Sequence, residues 1–226
     1  METKTHAHMD AELAQLKMDL TDMWETVVSQ LQKVRDVVEK NNRDLINEMP
    51  GGEKRIDAFE LKIDMDCERI LALYAPVAND LRFVLSVLKI NYNLERIGDF
   101  AWGIAKLFRD TETSFSKESL KKTNLLLMLN TSIEMVKTAL LAYENDDNEL
   151  ASTVFEKDKV LDSSNKNANK VIAEQIKDHP KTIMNHLNLL SIIRKTERIG
   201  DQAKNISEEI IFFLDAKVLR HKRKKK

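Results

Sequence analysis

Apolar residues recur at three- and four-residue intervals along most of the chain, as in Ile90, Ile97, Ala101, Ile104 and Phe108 or Ile192, Ile199, Ala203, Ile206 and Ile210. That spacing winds onto one stripe of an α-helix. The stretches that carry it are interrupted in few places: Met49-Pro50-Gly51-Gly52, Ala75-Pro76, Asp110 to Ser116, Asn145 to Asn148, and Asp178-His179-Pro180. The pattern therefore predicts six helices, over about 8–47, 54–74, 77–109, 117–144, 147–177 and 180–219. Pro76 and Pro180 suit first-turn positions, where a missing N–H costs nothing. Asp146 followed by Glu149 reads as a capping box.

The pattern also repeats. The string ERIGD stands at 95–99 and again at 197–201, 102 residues later, and the two apolar stripes above correspond at the same offset. The preceding helices match at an offset of 98, which pairs Ile56, Ile63 and Ile70 with Val154, Leu161 and Ala168. A duplicated three-helix unit accounts for both. Short loops between long helices force antiparallel neighbours. The predicted fold is all-α, two tandem pseudo-symmetric antiparallel three-helix bundles: residues 1–110, residues 111–219, and a basic tail at 220–226. The boundary is placed near Thr111 to Ser116.

Composition agrees with helices. The 226 residues include only five Gly and three Pro, and aromatics make up 6%. Charge is abundant but balanced, 36 basic against 37 acidic residues, which argues against a general nucleic-acid binder. Cys67 has no intrachain disulfide partner, because it is the only cysteine. Met1 to Asp10 has no apolar signal-peptide core. The longest unbroken apolar runs, Leu125 to Leu129 and Ile210 to Leu214, are five residues each, too short to span a bilayer. These features place the protein in the cytoplasm, with room for peripheral contact with the inner face of the cytoplasmic membrane.

Acidic pairs four apart carry the candidate chemistry. Each ERIGD copy supplies one, Glu95 with Asp99 and Glu197 with Asp201, and the helix before each copy supplies another, Glu60 with Asp64 and Asp158 with Asp162. Like charges at this spacing destabilise a helix by about 0.2–0.5 kcal/mol per pair, so eight such carboxylates suggest a compensating cation. Winding at about 100° per residue turns Glu95, Asp99, Glu197 and Asp201 away from the aliphatic stripes, outward or into a surface groove. An all-oxygen ligand set favours magnesium, manganese, calcium or iron over zinc. The competing reading is a set of solvated helix faces. Gly98 and Gly200, inside strongly helical segments, point to close approach of a neighbouring helix.

These residues carry a resemblance. Pro76-Val77-Ala78-Asn79-Asp80-Leu81-Arg82, followed by ERIGD and by ERIGD again about a hundred residues on, with Asn205-Ile206 after the second copy, resembles the PhoU family of phosphate-transport accessory and signalling proteins. The resemblance implies a pair of three-helix PhoU bundles. It also implies metal ions or clusters at Glu60, Asp64, Glu95, Asp99, Asp158, Asp162, Glu197 and Asp201, the metal being iron, manganese, magnesium or zinc. It implies a negative regulator, not an enzyme, that restrains phosphate uptake and the phosphate-starvation response by contacting the ATPase of an ABC phosphate transporter and a phosphate-sensing histidine kinase. A homodimer is compatible with it. The halves are not identical: Asn205-Ile206 is Gly103-Ile104 in the first half, and Pro180 to Asn188 lacks the DLR string.

The tail, with Arg220, Lys222, Arg223, Lys224, Lys225 and Lys226, reads as a solubilising end. Its functional alternative is attraction to anionic lipid, worth about 1 kcal/mol per basic residue near the surface. Catalysis finds no nucleophile motif, phosphate loop or H-E-x-x-H string, and the histidines lie outside the acidic pairs. A metal-storing or metal-dependent carboxylate bundle and a passive helical scaffold are the rival readings.

Overall fold

The structure is a computed structural model that describes residues 2–111 and 115–216; residues 112–114 and the basic tail lie outside the described residues. Described elements are α1 (Glu2–Lys40), α2 (Asp44–Tyr74), α3 (Ala78–Arg109), α4 (Lys117–Lys122), α5 (Leu125–Glu144), α6 (Asn148–Asp178), a 3₁₀ turn (Pro180–Thr182) and α7 (Ile183–Asp215). Helices α1, α2 and α3 pack on one another, as do α5, α6 and α7. The two trios join through α3 against α7 and α1 against α5, so α2 and α6 flank a shared central layer.

The repeated stripes are what the trios bury. Ile90, Ile97, Ala101, Ile104 and Phe108 in α3, and Ile192, Ile199, Ala203, Ile206 and Ile210 in α7, are all buried. So are Ile56, Ile63 and Ile70 in α2 and Val154, Leu161 and Ala168 in α6. Each fully buried aliphatic side chain contributes about 1.5–3 kcal/mol, which fixes the rotation of each helix about its axis.

Between the halves, α3 and α7 run antiparallel in a defined register. Lys89 Nζ donates to Glu209 Oε2 at 2.9 Å, Asn93 faces Asn205 at 3.3 Å, and Lys195 Nζ lies 2.9 Å from where a Cβ on Gly103 would stand. Each step along α3 is matched by an equal step back along α7. At the repeat offset Asn93 corresponds to Lys195 and Gly103 to Asn205, so the last two contacts are mates under a pseudo-twofold relation.

Five local expectations are corrected. The first helix ends at Lys40 rather than near 47, because Asn41 adopts positive φ (52°) and the Asn42 side chain accepts from the Asp44 N–H at 3.1 Å. Pro50 then lies inside α2. There the Gln30 amide of α1 donates to the Met49 carbonyl at 3.4 Å, in space that Gly52 leaves open. The predicted 117–144 helix is two, α4 and α5, separated by Asn124 at φ 56°. The cap of α6 is Asp147, whose side chain accepts from the Leu150 N–H, whereas Asp146 takes positive φ. Pro76 precedes α3, outside its first turn, while Pro180 does open the 3₁₀ turn.

By length and composition α5 could cross a membrane, although it contains no long unbroken apolar run. It packs between α1, α6 and α7 with 56% of its most apolar window buried, as a core helix does.

Candidate functional site

Helices α2 and α3 bring the first-half acids to one groove. The charges acting on Glu60 are those of Asp64, Asp57 and Asp99, and those acting on Glu95 include Asp99 and Glu60. Asp99 acts on both Glu95 and Glu53. Burial, followed by the charges of Asp99 and Glu60, pushes Glu95 up to about 7. Burial, with Asp99 and Asp57, does the same to Glu53, also to about 7, against an opposing pull from Lys106. Burial and then Asp64 raise Glu60. Crowded carboxylates raise one another because each added negative charge must form beside those already present.

Sequence reading missed Glu53 and Asp57. They repeat the four-residue spacing seven residues ahead of Glu60 and Asp64, but the Pro-Gly-Gly segment placed the start of the predicted helix at about 54, with Glu53 outside it and Asp57 in its first turn. Asn91, fully buried, was also missed. Its Nδ2 donates to Asp64 Oδ1 at 2.9 Å and to the Glu60 carbonyl at 3.0 Å, holding Asp64 in place.

Helices α6 and α7 assemble the second set. Burial, then Asp201 foremost among the charges, raises Glu197; burial, then Asp158, raises Asp201. Here a cation is built in, since Lys204 Nζ donates to Asp158 Oδ2 at 2.8 Å. Arg198 stands 3.9 Å from both Glu197 and Asp201, as Arg96 stands 3.8 Å from Asp99.

The outward orientation expected of the acids holds only in part. Asp99 and Asp162 are exposed, while Glu60, Asp64, Glu95, Glu197 and Asp201 are half-buried. Asp158 is buried, at 5% exposure. The acids border the α2/α3 and α6/α7 contacts, where neighbouring side chains cover them. Gly98 and Gly200 open onto these same contacts. A Cβ on Gly98 would come within 2.9 Å of Ile56 Cδ1, and one on Gly200 would collide with Leu161.

The donor chemistry is that of a hard cation's ligands, since the side chains are oxygen donors. Among the described residues no group of three or more His, Cys, Asp or Glu side chains is gathered closely enough to hold an ion as it stands. Ligation would therefore require these carboxylates to turn toward one another.

Two segments, residues 20–108 and 125–210, match the family model for the PhoU domain. A Xylella fastidiosa (strain 9a5c) protein described as a phosphate-specific transport system accessory protein PhoU homolog is 32% identical over 216 residues, 96% of this chain and 90% of that one. The Escherichia coli K12 phosphate-specific transport system accessory protein PhoU is 30% identical, covering 94% of this chain and 87% of that one. The crystal structure of PhoU from Pseudomonas aeruginosa superposes with a TM-score of 0.84 at 30% identity, over 92% of this chain and 99% of that one. That of the phosphate transport system regulatory protein PhoU from Streptococcus pneumoniae gives 0.83 at 26%, over 93% and 99%. With both halves matched by one domain model, and relatives aligned almost end to end, the chain belongs to the PhoU family.

Proposed function

We propose that this protein is a non-catalytic regulator of phosphate uptake that restrains the phosphate transporter and the starvation response when phosphate is plentiful. Its partners on this reading are the transporter's ATPase and a phosphate-sensing histidine kinase, met in the cytoplasm through helical surfaces. The observation that carries it is the match of the PhoU domain to both halves, in register with the buried stripes. Deleting the gene in its host and growing cells in rich phosphate tests it: phosphate should over-accumulate and starvation genes should switch on. Wild-type behaviour in both would remove the assignment.

Within this reading the acidic sets bind a divalent cation, and the carboxylate crowding around Glu95 and Asp99 supports that step. A bound cation would neutralise the groove and draw α2 and α3 together, while Asn91 keeps Asp64 aimed. The same crowding favours a second reading, a metal-storing bundle. That reading requires the protein to be purified with bound metal and requires the gene deletion to leave phosphate control intact.

A further inference from the structure

The register of α7 against α3, set by Lys89 with Glu209, Asn93 with Asn205 and Lys195 with Gly103, puts Ala216 level with Arg82. The ring of Phe213 agrees, with centroids 6.0 Å from Phe83 in α3 and 6.3 Å from Tyr143 at the end of α5. The chain therefore leaves α7 between the α2–α3 turn and the α5–α6 corner.

Two kinds of surface flank that exit. At the α2–α3 turn Leu73 and Val77 are exposed, at 67% and 72%. The α5–α6 corner presents Glu144, Asp146, Asp147 and Glu149, all exposed. Lys17 meets Asp146 at 3.8 Å, and among the described residues the other three acids make no ion pair. Residues 217–226 have the complementary composition: Val218-Leu219 near the exit, then Arg220, Lys222, Arg223, Lys224, Lys225 and Lys226. That segment holds seven of the 36 basic residues and none of the 37 acidic ones, which leaves residues 1–216 with 29 against 37, a net of −8.

We propose that residues 217–226 fold back on this end of the bundle, with Val218 and Leu219 over Leu73 and Val77 and the basic run against Glu144, Asp147 and Glu149. Ten extended residues reach about 33–36 Å and neighbouring helices stand about 8–10 Å apart, so length does not limit the contact. Tethering keeps the segment at a local concentration of about millimolar. An anionic lipid surface is the weaker occupant, because the acidic corner would have to approach it together with the tail. While seated, the segment closes this end to other partners. The contact stands apart from the phosphate-regulator and cation readings.

Carbodiimide cross-linking of the full chain, read by mass spectrometry, tests the charged half. Lysines of 217–226 should join to Glu144, Asp147 or Glu149 within one chain, as mixing ordinary and isotope-labelled protein reveals. The links should vanish at about 1 M NaCl, where the Debye length is about 3 Å. A fluorophore on A72C, beside Leu73, reads the apolar half, and the buried Cys67 does not compete for label. Removing residues 217–226, or V218S/L219S alone, should raise its quenching by acrylamide about twofold, with the thermal transition unchanged. Vesicles of phosphatidylcholine and phosphatidylglycerol test the lipid alternative. Wild type should float poorly with them, and E144K/E149K, which unseats the segment, should float more unless 217–226 is also removed.

No links, or links only between different chains, would overturn the proposal. So would quenching that is the same with and without residues 217–226. Wild type floating as fully as E144K/E149K would overturn it in favour of a lipid surface.

Discussion

The indole Nε1 of Trp24 donates to the carbonyl oxygen of Val136 at 3.1 Å, in the interior, joining α1 of the first half to α5 of the second. Tyr143 packs against the same indole with ring centroids 5.8 Å apart. Replacing Trp24 by Phe removes the donor and part of the volume, and the Val136 carbonyl keeps its helical bond. A loss of about 1–3 kcal/mol is expected in urea unfolding. Because the shared layer runs through both halves, wild type and variant should each show one coincident transition by fluorescence and circular dichroism. Two separated transitions would show that the halves are energetically independent.

Two glycines should respond with opposite signs. Gly51 lies within α2 and a Cβ there meets nothing within 4 Å, so Gly51→Ala should stabilise by about 0.5–1 kcal/mol through helix propensity. Gly200 faces Leu161 and Met135 in the core, and Gly200→Val should destabilise by about 1–3 kcal/mol through overpacking. Thermal melts read both, and equal effects would refute the packing role of Gly200.

Stability of the metal-free protein should fall as pH rises from about 4.5 to about 7. Glu95 and Glu53 are raised to about 7 in the folded state from 4.5. Across that window the folded chain holds protons that the unfolded chain has released. Raising pH therefore favours the unfolded state until both forms are ionised. Glu95→Gln should flatten the slope and raise the melting temperature at about pH 8, where wild type carries the full repulsion. Slopes from groups elsewhere are common to both proteins and cancel in the difference. A variant whose profile parallels wild type would refute the crowding.

Cys67 is fully buried against α3, its Sγ 4.0 Å from the Val84 carbonyl, and burial pushes its thiol up to about 12. Thiol labelling of native protein should therefore proceed only through opening of the bundle, and its rate should rise with urea in step with global unfolding. Fast labelling without denaturant would show that α2 separates locally from α3.

Much of the fold was legible in the chain because duplication prints its evidence twice. The stripes around Ile97 and Ile199 fixed helix identity, rotation and pairing, and all of their members are buried. What misled was local chemistry that tertiary packing overrides. Pro50-Gly51-Gly52 reads as a break, but a carbonyl beside it is met by Gln30 from another helix, while the actual breaks fall at Asn41 and Asn124, which take positive φ. The acidic pairs were legible as pairs. Their half-burial was not, since helix winding tells which way a side chain leaves its own helix and nothing of what its neighbour covers. Lys204 was invisible for the same reason: its significance lies in Asp158, 46 residues away on another helix.

The interlock of α3 and α7 limits how such a chain can vary. Between Lys89 and Gly103 on one side and Lys195 and Glu209 on the other, removing a single residue would rotate everything beyond it by about 100° and dismantle the pairings. Length changes are therefore tolerable between the two segments that match the domain model, 20–108 and 125–210. Homologous chains should differ in size there and hold constant the number of residues between the two helices' paired positions.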